Sequence, residues 1–230
     1  MIKKALLRNV PLFRGFSESE LEALADVATI HRFPRDARVI IAADEGDTFF
    51  VLAKGKVKVC LSGPDGRDVI LTMLGPGSFF GDMSLLDGRP RSANVTTMSP
   101  SELLALRRTD FIDLVQQKPQ IAVEMLKTLA DRLRKANHQI AGLSFLGIVD
   151  RVCDILLGLF DGQGEETAEG VVIHNRPTHQ ILADMAGATR ETVSRALRRL
   201  EEGGYILMRR KDIIFLRSRR RVRNWISKAS

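Results

Sequence analysis

The chain has 230 residues, 44% of them hydrophobic, and a formal net charge of +7, enough length for two modest domains or one large one. No apolar run approaches the roughly 18 residues a spanning helix needs, and the N-terminal MIKKALLRNV is too short in its apolar part for a signal peptide, so a cytoplasmic protein without membrane contact is expected. Two cysteines, Cys60 and Cys153, lie far apart inside apolar patterns; they read as reduced core thiols and exclude a four-cysteine iron–sulfur cluster within one chain.

Residues 1–30 hold a helical stretch. Ser17 and Ser19 are candidate N-caps, Leu21, Leu24, Ala25 and Ala28 share an apolar face, and Pro11-Leu12-Phe13 upstream forms an apolar plug. From His31 the apolar period falls to two. Strands are predicted at 39–41, 48–52, 56–61, 68–74, 93–97 and 103–106. Turn chemistry at close intervals (Asp44-Glu45-Gly46-Asp47, Lys54-Gly55, Gly63-Pro64-Asp65-Gly66, Gly75-Pro76-Gly77) separates the first of them. Many short strands between glycine turns predict a β-sandwich or barrel-like roll.

Late in this region a short glycine-started turn, Gly81-Asp82-Met83, is followed some ten residues on by Arg91-Ser92-Ala93. Such a set can hold one phosphate: Arg91 brings charge and a fork of donors, Ser92 a hydroxyl, and the turn backbone amides. Asp82 could accept a ribose hydroxyl. On that reading Arg91→Ala abolishes ligand binding and leaves the fold intact. The bland alternative is a surface loop in which Arg91 pairs with Asp82.

From Pro119 to about Leu146 the pattern is helical. Ala122, Leu126, Leu129, Leu133, Ala136, Ile140 and Leu143 recur at alternating steps of four and three, a heptad seam that suits pairing with a second copy. A hinge at Phe145-Leu146-Gly147 leads to an apolar helix at 148–160, a polar loop at 161–166 and a brief strand at 171–173.

The segment PTHQILADMAGATRETVSRALRRLEE, residues 177–202, then predicts two short helices around a tight turn. Thr178 and Thr189 are N-caps and Gly187 breaks the first helix. In the second, Val193, Ala196, Leu197 and Leu200 share one stripe, while Arg190, Glu191, Ser194, Arg195 and Arg198 fall on the other side. A helix buried on one side, with Arg and Glu opening its free side, suits the major groove of DNA, where Arg reaches guanine and Glu accepts from cytosine. Two apolar runs around an Arg-Arg-Lys-Asp turn, 205–208 and 213–216, complete a hairpin wing. Residues 177–230 hold thirteen Lys and Arg against five Asp and Glu, so the whole basic excess falls on this end of the chain, as phosphate contact requires. Arg217, Arg219, Arg220, Arg221 and Arg223 either extend that contact or form a solvated tail.

With these motifs in place the chain, over nearly all of residues 7–216, resembles bacterial transcription regulators of the CRP/FNR family. The resemblance implies an α+β architecture: an N-terminal β-roll (a double-stranded β-helix or jelly-roll) of the cyclic-nucleotide-binding type at 1–117, a long dimerisation helix at 118–146, and a C-terminal winged helix-turn-helix at 147–230. It also implies a homodimer on a palindromic operator with TGTGA-like half-sites, and contact with RNA polymerase. Carried over residue by residue, Arg190, Glu191 and Arg195 of the Arg190-Glu191-Thr192-Val193-x-Arg195 motif read bases. Thr178 and His179 lie near phosphates, and Thr189 and Ser194 belong to the same DNA-facing set.

The effector set carried over is Gly81, Asp82, Met83, Arg91, Ser92, Ala93, Arg132 and Asn137. Asp82 stands where the family has a Glu, shorter by roughly 1.5 Å of reach. Ala136-Asn137 replaces the family's Thr-Ser pair on the long helix, and Asn137 can still donate and accept. The expected effector is a cyclic nucleotide, cyclic AMP first, with a cyclic dinucleotide or a ligand-independent sensor as alternatives. No metal, haem or iron–sulfur cluster is expected, since His31, His138, His174 and His179 form no metal-ligand spacing. An enzyme on a β-roll is disfavoured, because residues 39–106 contain no histidine. A regulatory subunit of a kinase or channel would lack the winged helix.

Overall fold

Short alternating strands and capped helices recur in the computed structural model, which describes residues 2–216; the arginine-rich segment 217–230 therefore lies outside the described residues. The chain divides into two units, Met1–Arg134 and Lys135–Ser230.

The first unit opens with helices α1 (Ile2–Arg8) and α2 (Glu18–Val27). Ser17 starts α2 with a reciprocal capping box to Glu20, and Lys3 closes its far end by donating to the carbonyls of Ala25 (3.0 Å) and Ala28 (2.7 Å). Pro11–Phe13 is a 3-10 turn whose Leu12 and Phe13 are buried, the plug expected of them. The strands that follow are β1 (Thr29–Phe33), β2 (Arg38–Ile40), β3 (Thr48–Lys54), β4 (Val57–Ser62), β5 (Asp68–Leu74), β6 (Phe79–Phe80), β7 (Asn94–Thr97) and β8 (Ser101–Arg107). They form two antiparallel sheets, in the orders β1-β8-β3-β6 and β2-β7-β4-β5.

Alternate side chains of β3 and β8 serve two cores, which is why Leu103-Leu104-Ala105-Leu106 shows no polar alternation. Leu52 and Leu103 meet Ile40, Val57, Phe80 and Val95 in one core, which draws on both sheets. Phe49, Val51, Leu104 and Leu106 join the other, built with α1, α2, a helix α4 (Arg108–Gln117) and the first turns of α5 (Gln120–Phe145). The ring of Phe111 stacks on Phe49 at 4.5 Å.

Several elements differ from the sequence reading. The period-two region begins at Thr29, because β1 is an edge strand with mostly exposed or half-exposed residues and a weak pattern. Helix α4 has no side-chain cap and buries only Phe111 fully, so its signal merged with the preceding strand. Residues 82–87 form a short helix, α3 (Asp82–Asp87), and not a simple turn. The expected polar loop at 161–166 is occupied by the end of α6 (Ile148–Gln163) and by β9 (Glu165–Glu166), which pairs with Val171 and Val172.

Helix α5 buries Ile121 and Met125 in the first unit's core, yet Leu126, Leu133 and Ile140, seven residues apart, are 64%, 63% and 61% exposed. Among the described residues, the leucines and isoleucine of the apolar seam read from sequence are thus left largely exposed. In the second unit α6 packs with α7 (His179–Ala186), α8 (Arg190–Glu202) and a sheet of order β11-β12-β10-β9, where β10 is Gly170–Ile173, β11 is Ile206–Arg209 and β12 is Asp212–Leu216. Phe160 meets Phe215 at 4.7 Å in its core. Both cysteines are buried thiols outside any disulfide, and burial, reinforced by Asp150 and Asp154, pushes the Cys153 thiol up to about 12, which keeps it protonated and inert. His138 on the long helix sits 3.3 Å from Asp154.

Candidate functional site

Two sets of side chains carry chemistry, one in each unit. In the first, β6 is followed by Gly81, which takes a left-handed conformation (φ 82°) as the N-cap of α3. A Cβ there would lie 2.8 Å from both the Thr48 carbonyl and Arg91 Nη1, so only glycine fits. Arg91 returns beneath this turn and is 8% exposed. Its Nη1 donates to the Gly81 carbonyl and to Ser84 Oγ, both at 2.9 Å, and its Nη2 donates to the Thr48 carbonyl at 2.8 Å. The Arg91 backbone also exchanges two bonds with the loop before β3, to Ala43 and Asp44. Gly46 in that loop leaves room for the guanidinium; a Cβ would fall 1.9 Å from Nε. Burial lowers the pKa of Arg91, with Asp47 and Asp82 opposing the shift.

Arg91 therefore makes no hydrogen bond to Asp82, contrary to the bland alternative above. Asp82 is 2% exposed, and both its oxygens lie 3.0 Å from Nη1 of Arg132 on α5. Arg132 Nη2 donates to the Phe79 carbonyl at 2.6 Å, and its guanidinium carbon lies 4.8 Å from the centre of the Phe79 ring. Met83 and Ser92 are exposed and mutually close, with Ser92 Oγ 3.4 Å from Met83 Sδ, while Ala93 is buried. The structure thus brings together Gly81, Asp82, Met83, Arg91, Ser92 and Arg132; Asn137 lies on an exposed turn of α5 that belongs to the second unit. Thr48, Gly46 and Ser84 complete the cage around Arg91, and sequence reasoning missed them. Ser84 lies between the two halves of the motif; Gly46 reads only as turn chemistry and Thr48 only as the start of a strand, and nothing local ties either to Arg91.

In the second unit the expected caps are present. Thr178 Oγ1 accepts from the Ile181 amide at 3.2 Å, Thr189 Oγ1 accepts from the Thr192 amide at 3.3 Å, and Gly187 (φ 58°) closes α7. Leu182, Ala183 and Ala186 of α7 and Val193, Ala196, Leu197 and Leu200 of α8 are buried, so small residues stand where two helices touch. Arg151 on α6 fixes the end of α7 by donating to the Ala186 carbonyl at 3.0 Å. It was not anticipated either.

The free side of α8 carries Arg190, Glu191, Arg195 and Arg198, all exposed. Glu191 titrates below the ordinary carboxylate range, because its own backbone amide and the Thr189 hydroxyl bond to it and Arg190 and Arg195 lie near. It is therefore an ionised acceptor. The hydroxyl of Ser194 is engaged within the motif, donating to the Arg190 carbonyl at 2.9 Å and lying 2.8 Å from His179 Nδ1.

Comparison with known proteins agrees with this division. The family model described as the cyclic nucleotide-binding domain matches residues 30–118, and that described as the Crp-like helix-turn-helix domain matches residues 150–225. The chain is 31% identical over 218 residues to the CRP-like cAMP-activated global transcriptional regulator of Mycobacterium tuberculosis, covering 95% of this chain and 97% of that protein. It is 34% identical over 200 residues to the cyclic AMP receptor protein of Thermus thermophilus, covering 87% and 89%. Among solved structures, the c-di-GMP-responsive global regulator CLP of Xanthomonas campestris superposes with a TM-score of 0.76 at 24% identity, covering 87% of this chain and 99% of that one, a likeness of fold.

Proposed function

Because this chain belongs to the CRP/FNR family of transcription regulators, we propose that it binds a two-fold operator as a homodimer and that a cyclic nucleotide in its β-roll sets the strength of that binding. The observation that carries the proposal is the division of α8 into a buried apolar stripe and a free face of Arg190, Glu191 and Arg195, held at its start by the Thr189 cap. Arg190 and Arg195 are the donors to guanine and Glu191 the acceptor for cytosine in a TGTGA-like half-site. RNA polymerase is the further partner that the family resemblance implies, the cytoplasm its compartment, and no catalytic role is assigned.

Dimerisation falls to α5. The exposed Leu126, Leu133, Ile140 and Leu143 are spaced for a parallel two-stranded seam and would place two recognition helices on half-sites about one turn of DNA apart. Leu133→Glu puts a charge into that seam, and sedimentation should then show a monomer in place of a dimer, with operator binding lost. A dimer that survives the substitution would move the interface elsewhere.

For the effector, Arg91 supplies the phosphate charge, while Asp82 and Arg132 are the ribose-side pair; Met83, Ser92 and Ala93 line the same turn, and Asn137 is the side chain left for a base. Cyclic AMP is the first candidate, after the names of the relatives, and a cyclic dinucleotide is the second, after the Xanthomonas regulator. A ligand-independent sensor is favoured by one specific observation: the Arg91 and Asp82 side chains already have partners inside the protein. A thermal-shift panel of cyclic mono- and dinucleotides, repeated on operator affinity, separates these readings. A mononucleotide that raises both the melting temperature and the affinity supports the first. Silence across the panel, with sequence-specific binding intact, supports the ligand-independent sensor. No preference for any duplex over random competitor defeats the proposal itself.

A further inference from the structure

We propose that His179 positions the recognition helix: as its Nδ1–H tautomer it donates to Ser194 and ties α7 to the first turn of α8, so that Ser194 serves alignment and reads no base. This inference rests on the reading of α8 as the base-reading helix.

The geometry fixes the proton. Ser194 Oγ has one hydrogen, and it points at the Arg190 carbonyl, 2.9 Å away. Towards His179 Nδ1, 2.8 Å away, the same oxygen must therefore accept, and Nδ1 must carry the hydrogen. The opposite tautomer is worse on a second count. His179 Nε2 is buried and has no hydrogen-bond partner, so a hydrogen placed there would be a buried donor without an acceptor. The charged groups that bear on the ring are Arg176, just ahead of α7, and Arg190, on α8. Both are cations and neither can accept a hydrogen from Nε2. Arg151, the cation of α6 on this motif, is turned to the Ala186 and Leu146 carbonyls instead.

The bond bears on function because of where it ends. Ser194 touches the carbonyl of Arg190, the first residue of α8. A serine that back-bonds to the carbonyl four residues earlier tends to bend its helix. With His179 on the other side of the hydroxyl, that local geometry is fixed and not free to vary. Arg190 and Glu191 thus leave a first turn anchored to α7 by a polar bond. Arg195, one turn on, inherits the same alignment.

Asparagine separates positioning from other roles, because its Nδ2 lies as many bonds from the backbone as histidine Nδ1, whereas the glutamine amide lies one bond further out. In the full-length protein, His179→Ala and Ser194→Ala should each weaken binding to the preferred operator about three- to tenfold, the worth of one such hydrogen bond. The double substitution should be no weaker than either alone. His179→Asn should recover most of the loss, and His179→Gln should not. Burial, then Arg176 and Arg190, lowers the pKa of His179 from 6.5, so the folded protein holds the ring neutral. The stability this lends is present above the unfolded value and is lost as pH falls through the folded one. The second unit should therefore melt earlier on acidification in the wild type, and His179→Asn should flatten that slope. Nitrogen NMR of the free protein should show His179 as the Nδ1–H tautomer. An Nε2–H tautomer, additive losses in the double variant, or equal rescue by Gln and Asn would each overturn the proposal. If the wild type prefers no operator, the reading of α8 fails, while the tautomer and the acid slope still decide whether the His179–Ser194 tie exists.

Discussion

Arg190→Ala is expected to cost the operator complex about 1–3 kcal/mol and to blur selection at one base pair of each half-site. Arg190 is the first residue of α8, exposed, and adjacent to the Thr189 cap that fixes where the helix begins. Its planar fork can hold both acceptors of a guanine, a geometry that lysine lacks, so Arg190→Lys should recover charge but little selectivity. Arg198, on the same face two turns along, supplies the contrast. Arg198→Ala should weaken all duplexes alike and lower the salt slope, as loss of a phosphate contact does. Titrations against a set of singly substituted operators distinguish the two patterns. If Arg190→Ala leaves the ranking of operators unchanged, the base-reading role passes to another residue.

Arg91→Ala should remove the effector response and also cost the first unit about 2–4 kcal/mol, since it deletes charge-assisted bonds to the part-buried Gly81 and Thr48 carbonyls and to the buried Ser84 hydroxyl. The second half of that statement corrects the sequence expectation that the fold stays intact. A surface arginine could be removed freely, whereas this one is 8% exposed and ties the Thr48 carbonyl, the Gly81 turn and Ser84 together. Gly46→Ala tests the cage without touching its donors. The added methyl would sit 1.9 Å from Arg91 Nε and must push the guanidinium aside. Chemical denaturation of both variants should show lower midpoints, and neither should gain stability from the effector that protects the wild type. Unchanged denaturation of Arg91→Ala would show that the cage contributes nothing to folding.

The helix-turn-helix was legible because its signals are local. Thr178, Gly187 and Thr189 act on backbone groups within a few residues, and the α8 stripe repeats at helical spacing. Six of the eight strands of the roll were legible for the same reason, with boundaries moved by a residue or two; the edge strand β1 and the two-residue β6 were not. What escaped depends on distant pairing. Thr48 and Arg91 are 43 residues apart, Asp82 and Arg132 are 50 apart, and neither pairing has a periodic signature. Helix α4 escaped for a different reason: it has neither a capping side chain nor more than one fully buried residue, so propensity alone had to announce it. Ser194 was assigned to the DNA-facing set from its side of the helix and the family resemblance; its contact with His179, on another element 15 residues away, had no local signal.

The exposed Leu126, Leu133 and Ile140 carry a consequence for how the regulator responds to its own abundance. If two chains must meet along these side chains before two recognition helices can grip one operator, occupancy at low protein level rises as the square of chain concentration. A modest change in synthesis or degradation would then switch a promoter more steeply than a single-chain repressor could, even at a constant level of small molecule.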